Sequence, residues 1–158
     1  MIRKARTPDA VEAFDIYFHP GVHPFMHYEK MPRAGFRETW KRLLKAKNVF
    51  VAVEEKELLG FVACRQGDGR MSHVVDVSML AVKPDLQGKG IGKKLMAFAG
   101  KWARERKATR LQLFVEADNP GAKTFYEKLG YRGEGLLENY IRRKKGGYVD
   151  DYLMAKLL

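Results

Sequence analysis

The chain has 158 residues, of which 46% are hydrophobic and 11% aromatic, so it can bury a core and does not have the composition of a disordered chain. Its formal net charge at pH 7 is +11, which favours contact with a polyanion. No apolar run reaches the length of a membrane span, and we expect a single domain over residues 1–158.

Apolar spacing and turn residues predict alternating helices and strands along the chain. Thr7 is the expected N-cap of a first helix that runs from Pro8 to about Phe18, and a proline-rich loop over residues 19–32 follows. The later predicted elements are a helix over 33–46, strands over 48–53, 58–65 and 74–82, a helix over 90–106, a strand over 111–115, a helix from Pro120 to a Gly130 cap, and strands from Tyr131 and over 148–157. This order predicts an α/β fold with parallel and antiparallel neighbours in the sheet.

The most informative stretch is a glycine-rich loop at the junction between the predicted strand 74–82 and the helix after it. It reads Gln87-Gly88-Lys89-Gly90-Ile91-Gly92, so that a glycine stands at every second position. Glycine lets backbone N–H groups approach an anion, and the helix that begins here adds its unpaired N–H groups and the positive end of its dipole. The pattern therefore predicts a pyrophosphate cradle, with a simple strand-to-helix turn as the alternative.

The spacing of these glycines separates the loop from two better-known phosphate-binding motifs. A P-loop requires G-x-x-x-x-G-K-[ST], but Gly88 to Gly92 is one residue too short, and Lys94 stands where a hydroxyl would hold magnesium. A dinucleotide-binding fingerprint requires G-x-G-x-x-G, and the third glycine here comes one residue early.

A second motif lies in the next predicted strand–helix unit, where residues 118–131 read DNPGAKTFYEKLGY, with Asn119 placed 31 residues after Gly88. Together, this run and Q-x-x-G-x-G resemble the two signatures of the GNAT superfamily of N-acetyltransferases, and the resemblance covers essentially the whole chain. It implies an α/β GNAT acyl-CoA N-acyltransferase fold, a mixed and mostly antiparallel sheet with helices on both faces and a splayed central pair of strands. It also implies direct transfer of an acetyl group from acetyl-coenzyme A to an amine in a ternary complex.

The same resemblance implies which residues hold the cofactor. The end of the strand before the cradle would bind the pantetheine arm, the cradle would bind the pyrophosphate, and the second motif would flank the arm from the other side. The cofactor-binding residues so implied are Leu80, Ala81, Val82, Gln87, Gly88, Lys89, Gly90, Ile91, Gly92, Lys93, Asn119 and Ala122.

Acetyl transfer also needs groups that move protons. Tyr126 is the candidate general acid, because a phenol with a pKa of about 10 is protonated at neutral pH and can donate to the departing thiolate. Outside such a motif, a tyrosine on an amphipathic helix is more often a core residue. Asp76, in the strand before the cradle, is the candidate base, with Glu116 at the end of the next strand as a second candidate. A strand-edge Asp is an equal alternative, and an amine with a pKa near 8 is already partly neutral without any base.

The C-terminal part of the sequence indicates which class of amine accepts the acetyl group. Glu134-Gly135, the run from Gly147 to Asp150 and the run from Tyr152 to Ala155 resemble L-amino-acid N-acetyltransferases that act on phenylalanine and methionine. We therefore expect the acceptor to be a small-molecule primary amine, such as the α-amine of a free amino acid. Ribosomal-protein-type N-terminal acetyltransferases and antibiotic or phosphinothricin acetyltransferases are alternatives. A homodimer is a further expectation, because dimers are common among such relatives.

A basic segment suggests a non-enzymatic alternative, either a coenzyme A sensor or an RNA-binding domain. From Lys83 to Arg110 there are nine Lys or Arg against two acids, a net charge of +7. Coenzyme A is itself polyanionic, and a solvated helix face explains most such runs. The exposed aromatics of an RNA-stacking platform show no clear pattern, so no nucleic-acid partner is predicted.

No metal site is predicted either. His19, His23 and His27 recur every four residues, but Pro20 and Pro24 forbid the helix that would bring them together. Cys64, the only cysteine, lies in a strand pattern and is expected in the core. Without a disulfide framework or an apolar N-terminal segment, a cytoplasmic location is expected.

Overall fold

A computed structural model describes all 158 residues, which form seven strands and four α-helices. The strands are β1 (Ile2–Lys4), β2 (Asn48–Glu54), β3 (Glu57–Gln66), β4 (Val74–Val82), β5 (Arg110–Glu116), β6 (Arg132–Arg142) and β7 (Tyr148–Leu157). The helices are α1 (Ala10–Tyr17), α2 (Arg33–Ala46), α3 (Ile91–Glu105) and α4 (Pro120–Lys128). Short 3₁₀ turns occupy Thr7–Asp9, His23–Phe25, Gly69–Met71 and Pro84–Leu86. None of the helices is both long and apolar enough to cross a membrane.

The strands follow the order β1-β2-β3-β4-β5-β7-β6. Neighbours pair antiparallel in β1–β2, β2–β3, β5–β7 and β6–β7, whereas β4 and β5 are parallel. Parallel neighbours need a crossover connection, and α3 lies in the segment that connects β4 to β5. The predicted mixed, mostly antiparallel sheet is therefore confirmed.

Two predictions for the N-terminal region need correction. β1 is absent from the predicted elements, because three residues are too few to show a period. The prediction that Thr7 caps the first helix is wrong, since Thr7 opens a 3₁₀ turn that precedes α1. The backbone N–H of Arg6 donates instead to the Asp9 carboxylate at 2.6 Å, which satisfies a donor that the turn itself leaves unpaired.

The chain divides into two compact units, and the first comprises residues 1–65 and 77–102. Its core is aromatic, and Tyr17, Phe36, Trp40 and Phe61 are all fully buried. The rings of Trp40 and Phe61 meet edge to face with centroids 5.5 Å apart. Burying side chains of this size contributes about 1.5–3 kcal/mol each, so this cluster is the main apolar support of α1 and α2.

The second unit comprises residues 66–76 and 103–158. β7 pairs with β5 on one side and β6 on the other, and β5 alternates between the two faces of this sheet. Leu111, Leu113 and Val115 are buried on one face. α4 lies on that face, because Lys156 of β7, the cross-strand partner of Leu111, donates to the Leu129 carbonyl at 2.7 Å. The prediction of one domain over residues 1–158 stays a prediction.

Candidate active site

The predicted cradle lies in the first unit, between the end of β4 and the start of α3. Gly88 and Gly90 have φ angles of +77° and +86°, which side chains with a Cβ rarely adopt. A Cβ placed at either glycine would meet no atom within 4 Å, so these positions face open space. Glycine is therefore needed here for backbone conformation, and the exposed peptide groups are accessible to a ligand.

The start of α3 gives this loop the electrostatics of an anion site. The first turn of α3 contains no acidic residue, and Lys89, Lys93 and Lys94 are exposed around it. Ile91 and Gly92 begin the helix, so their N–H groups lack partners within it. Unpaired N–H groups and the helix dipole favour a phosphate group at this position.

The end of β4 is tied closely to its surroundings. The Gln87 side chain donates a long hydrogen bond to the Val82 carbonyl (3.4 Å), which joins the cradle to the strand end. Ala81 and Val82 are buried, and Leu80 is half-buried. A Cβ at Gly60 of β3 would come within 2.6 Å of the Ala81 carbonyl oxygen. Gly60 is thus required by the close approach of two backbones, a role that the sequence pattern does not signal.

In the second unit, Asn119 and Ala122 are bonded to each other at the start of α4. The Asn119 side-chain oxygen accepts the Ala122 N–H at 3.2 Å and so caps the helix, with Pro120 at its first position. The Asn119 N–H in turn donates to the Glu116 carbonyl at 2.9 Å. These two bonds fix the geometry of the loop that joins β5 to α4.

Tyr126 is buried on α4, with a residual exposure of 9%. Its ring packs edge to face against Tyr131, with centroids 5.7 Å apart. Burial raises the pKa of the phenol above its usual value of 10, because the charged phenolate is disfavoured away from water. Tyr126 is therefore neutral at physiological pH, and it can donate a proton but not readily act as a base.

Asp76 belongs to a polar network on β4 and β5 of the second unit. Its carboxylate accepts a hydrogen bond from the Gln112 side chain at 2.7 Å, and Gln112 in turn accepts from Arg110 at 2.9 Å. Arg110 also forms a bidentate pair with Glu134 of β6. The carboxylate is accordingly a structured, half-buried group and not a solvent-facing one.

A second acidic group lies at the other end of β5. Glu116 is ion-paired with Arg143, which also binds Asp118 at 2.8 Å. Burial raises the pKa of Glu116, although Arg143 opposes the shift. Asp151 of β7 lies directly across from Glu116, is 3% exposed, and was not among the predicted site residues. Burial and the Glu116 charge raise the pKa of Asp151 to about 6.

The predicted site residues thus fall into two groups. Leu80 to Val82 and Gln87 to Lys93 belong to the first unit, and Asp76, Asn119, Ala122 and Tyr126 belong to the second. In the second group, Asp76 lies on β4, and the other three residues lie on α4 or at its start. The histidines of the 19–32 loop do not cluster: His19 accepts the Gly21 N–H, and His23 bonds the Tyr28 carbonyl. No three His, Cys, Asp or Glu side chains are grouped as a metal site.

The sequence matches the profile of the acetyltransferase (GNAT) family over residues 10–131, which is most of its length. The chain belongs to this family. The matched range contains the cradle, the Asn119 cap and Tyr126. The family and fold predicted from the sequence are confirmed, and the predicted enzyme class agrees with them.

Known proteins resemble this GNAT chain in sequence and in fold. An N-acetyltransferase from Methanocaldococcus jannaschii, described as uncharacterized, is 27% identical over 149 residues, which are 91% of this chain and 66% of that protein. A ribosomal-protein-alanine N-acetyltransferase from Brucella melitensis has the same fold, with a TM-score of 0.82 at 24% identity over 100% of this chain and 99% of the other.

A third similar structure was solved with a bound ligand. It is a GNAT phosphinothricin acetyltransferase from Sinorhizobium meliloti in complex with AcCoA, with a TM-score of 0.81 at 18% identity over 100% of this chain and 88% of the other. At these identities the two structural likenesses establish the fold of the GNAT chain and not its acceptor. The chain also spans just under two thirds of the curated relative from Methanocaldococcus jannaschii.

Proposed function

We propose that this protein transfers an acetyl group from acetyl-coenzyme A to a primary amine. The observation that carries the proposal is the cradle, in which two glycines with positive φ face open space beside an acid-free helix start and three exposed lysines. This chemistry fits a pyrophosphate, and the family of the chain is an acetyltransferase family.

Acetyl-coenzyme A would supply the acetyl group as a thioester. Its pyrophosphate would lie on the backbone N–H groups of residues 88–92 with Lys89 and Lys93 beside it, and its pantetheine arm on the backbone of Leu80 to Val82. Asn119 and Ala122 are the proposed contacts on the second unit. Their mutual hydrogen bond keeps the α4 start rigid, which supports a role in positioning.

The proposed proton donor is Tyr126. A buried phenol whose pKa is raised stays protonated, so it can donate to the thiolate that departs when the thioester is cleaved. Glu116 is one proposed base that accepts a proton from the amine, and the other is Asp76. Gln112 orients its carboxylate, which suits a group that has to present one oxygen in a fixed direction.

The proposed acceptor is the α-amine of a free amino acid or of a similar small molecule. Support comes from the C-terminal resemblance to enzymes for phenylalanine and methionine. A protein N-terminus and phosphinothricin are the alternatives, since similar folds carry those activities. The non-enzymatic alternative is a coenzyme A sensor or an RNA-binding module, which would contain the same loop but would not transfer an acetyl group. We also propose a cytoplasmic location, a homodimer and no nucleic-acid partner.

The test is release of coenzyme A thiol over a panel of amines that starts with phenylalanine and methionine and includes an alanine-initiated peptide and phosphinothricin. We expect transfer to at least one free amino acid. Transfer only to the peptide or only to phosphinothricin would replace the proposed acceptor. Binding of acetyl-coenzyme A without transfer to any amine would favour the sensor.

The cradle can be tested separately by ligand-induced thermal stabilisation. Acetyl-coenzyme A should raise the melting temperature, because it binds the folded state. Gly90→Asp should abolish the shift, because it places a carboxylate beside the phosphates. Gly69→Asp is the matched control, with the same added charge at a glycine of positive φ (+50°) that also faces open space. A full ligand shift in folded Gly90→Asp would show that the cradle assignment is wrong.

A further inference from the structure

One face of the second unit carries polar and aromatic side chains that its core does not use. On β5 this face presents alternate residues, Gln112, Phe114 and Glu116, opposite to the buried leucines. Asp151 and Leu153 of β7 pair with Glu116 and Phe114, so they share the same face. The face therefore combines the adjacent carboxyl groups of Glu116 and Asp151 with the apolar pair Phe114 and Leu153, two residues away along each strand.

The carboxyl pair is unusual in its burial. Asp151 is 3% exposed, and its Oδ1 atom receives no hydrogen bond. Like charges directly opposite each other on neighbouring strands repel, and an unpartnered buried carboxylate oxygen is costly. A carboxyl that persists in such a place is a candidate for a group that binds and releases a proton.

The charged groups around Glu116 and Asp151 also favour a shared proton. β5 contributes Glu116, the following loop contributes Asp118, and Arg143 at the β6–β7 turn binds both of these. β6 places Leu137, an apolar residue, opposite Asp151. One guanidinium thus binds Glu116 and Asp118, and a proton shared between Glu116 and Asp151 would relieve the repulsion between those two carboxyl groups.

The neighbouring aromatic pair consists of Phe114 and Tyr140. The two rings are stacked with centroids 5.7 Å apart and planes 20° apart, yet they are 43% and 54% exposed. Because β7 separates β5 from β6, the Tyr140 side chain has to reach over β7 to meet Phe114. A bulge in β6 allows this: Asn139 has φ +53°, and its N–H donates to Asp150 at 2.8 Å.

We propose that Glu116 and Asp151 form a proton-sharing carboxyl pair that deprotonates the acceptor amine, whose apolar or aromatic body lies on the Phe114–Tyr140 rings. The inference rests on the proposed function and deepens it. Glu116 is the catalytic member, because its side chain retains 13% exposure and its carbonyl accepts the N–H of Asn119. Asp151 is a positioning residue, which acts on Glu116 by holding a second carboxyl group directly opposite it.

The proton balance is simple. The acceptor arrives as an ammonium ion and gives one proton to the carboxyl pair. The neutral nitrogen then attacks the thioester carbonyl carbon, a C–N bond forms and the C–S bond breaks. Tyr126 gives its proton to the departing thiolate and regains one from the second proton of that nitrogen, and the carboxyl pair returns its proton to solvent. Because the exposed Phe114–Tyr140 rings are the proposed contact for the acceptor, the preferred acceptors are amines with an apolar or aromatic side chain, such as phenylalanine or methionine.

The first experiment compares pH profiles of turnover by thiol release, with phenylalanine and methionine as acceptors. Asp151→Asn should lower the apparent pKa of the acidic limb by about one unit and lower kcat about tenfold, because Glu116 loses its like-charged neighbour. Glu116→Gln should lower kcat about 10²- to 10⁴-fold, as for a lost general base. Glu138→Gln, which removes an exposed carboxylate from β6, is the matched control and should retain the wild-type profile.

Thermodynamic linkage gives a readout that does not depend on turnover. Asp151 has a pKa of about 6 in the folded protein against an ordinary value of 3.8, so the folded state binds the extra proton. The resulting stability is fully present below pH 3.8 and is lost as pH rises through 6. Wild type should therefore lose stability relative to Asp151→Asn between pH 4 and pH 7, as measured by urea unfolding.

The outcomes separate the two proposals. No thiol release with any amine overturns the proposed function and this inference with it. Transfer with an unchanged pH profile in Asp151→Asn overturns the inference alone, as does a loss of the acidic limb in Asp76→Asn but not in Glu116→Gln. A shifted profile in Asp151→Asn, together with the expected linkage, supports the carboxyl pair.

Discussion

At the scale of single residues, burial decides what each titratable side chain of this site can do. Tyr126 keeps its proton because water is excluded from it, whereas Asp151 holds a proton up to nearly neutral pH for the same physical reason. A neutral phenol suits the donor in acetyl transfer. A carboxyl that titrates near pH 6 suits the role proposed for Asp151, which is to hold a proton beside the catalytic carboxyl of Glu116.

For Tyr126, we predict that Tyr126→Phe lowers turnover about ten- to ten-thousand-fold, the range expected for a lost general acid, and leaves acetyl-coenzyme A affinity unchanged. Steady-state thiol release and ligand-induced thermal stabilisation measure the two quantities. Tyr131→Phe is the control, because it removes a hydroxyl from the buried ring against which Tyr126 packs. Equal turnover in Tyr126→Phe and wild type would assign Tyr126 to the core alone.

The sequence identifies some of these residues and misses others for a definite reason. Tyr126 and the cradle glycines are readable because local motifs specify them. Asp151 cannot be identified from the sequence, because it is one of two adjacent aspartates in Tyr148-Val149-Asp150-Asp151. It is buried only in the folded sheet, where it pairs with Glu116, which lies 35 positions earlier. The exposed Phe114–Tyr140 stack also depends on a bulge, which the alternation of residues in β6 does not reveal.

At the scale of elements, the three-residue strand β1 is linked to the turn before α1 by an ion pair. Arg3 of β1 forms a bidentate pair with Asp9, with both N–O distances 2.8 Å, and Asp9 also accepts the Arg6 N–H. Burial acts to raise the pKa of Asp9, but the hydrogen bonds from Arg3 and Arg6 outweigh it and lower the pKa. Asp9 thus links the edge strand β1 to the turn that precedes α1.

For this contact, we predict that Asp9→Asn destabilises the protein by about 1.5–3 kcal/mol at pH 7, the usual size for hydrogen bonds to a charged group. Because the pKa of Asp9 is lowered in the fold, its contribution is present above the unfolded pKa and is lost as pH falls. The difference from wild type in urea unfolding should therefore shrink towards pH 3. Asp15→Asn removes an exposed partner of Arg33 and should cost under about 1 kcal/mol.

The helices and strands themselves are largely predictable from the sequence. α2, β4 and β7 have the predicted bounds, because each shows a long, regular apolar pattern between turn residues. The cap at Gly130 is also as predicted, with φ +87°. β6 lacks such a pattern, since Gly133 and Gly135 interrupt it and its side chains are mostly exposed, so only its start could be inferred.

At the scale of the whole molecule, the charge of +11 does not have to mean a nucleic-acid partner. We predict that duplex DNA and RNA bind weakly, with dissociation constants of about 10⁻⁴–10⁻⁶ M at physiological salt and a steep salt dependence. Arg104→Glu with Lys107→Glu should leave the KM for acetyl-coenzyme A within about threefold, because distant exposed charges are screened. Lys89→Glu with Lys93→Glu should raise it strongly.

Fluorescence anisotropy for the nucleic acids and thiol release for the KM, on the same preparations, measure both parts of this prediction. Sequence-selective RNA binding that survives high salt, in a protein that acetylates no amine, would instead establish the RNA-binding module. A strong rise in KM for the distal pair would mean that the cofactor follows α3 well beyond its first turn.

The order of the strands leaves two edges, β1 and β6, where unpaired peptide groups could recruit strands from other molecules. β1 is only three residues long, which limits that risk. β6 is longer, but two register shifts bend it, Asn139 interrupts its extended backbone, and Arg132, Glu134, Glu138 and Arg142 add charge along it. The bulge that carries Tyr140 over β7 therefore also protects the sheet against edge-to-edge aggregation.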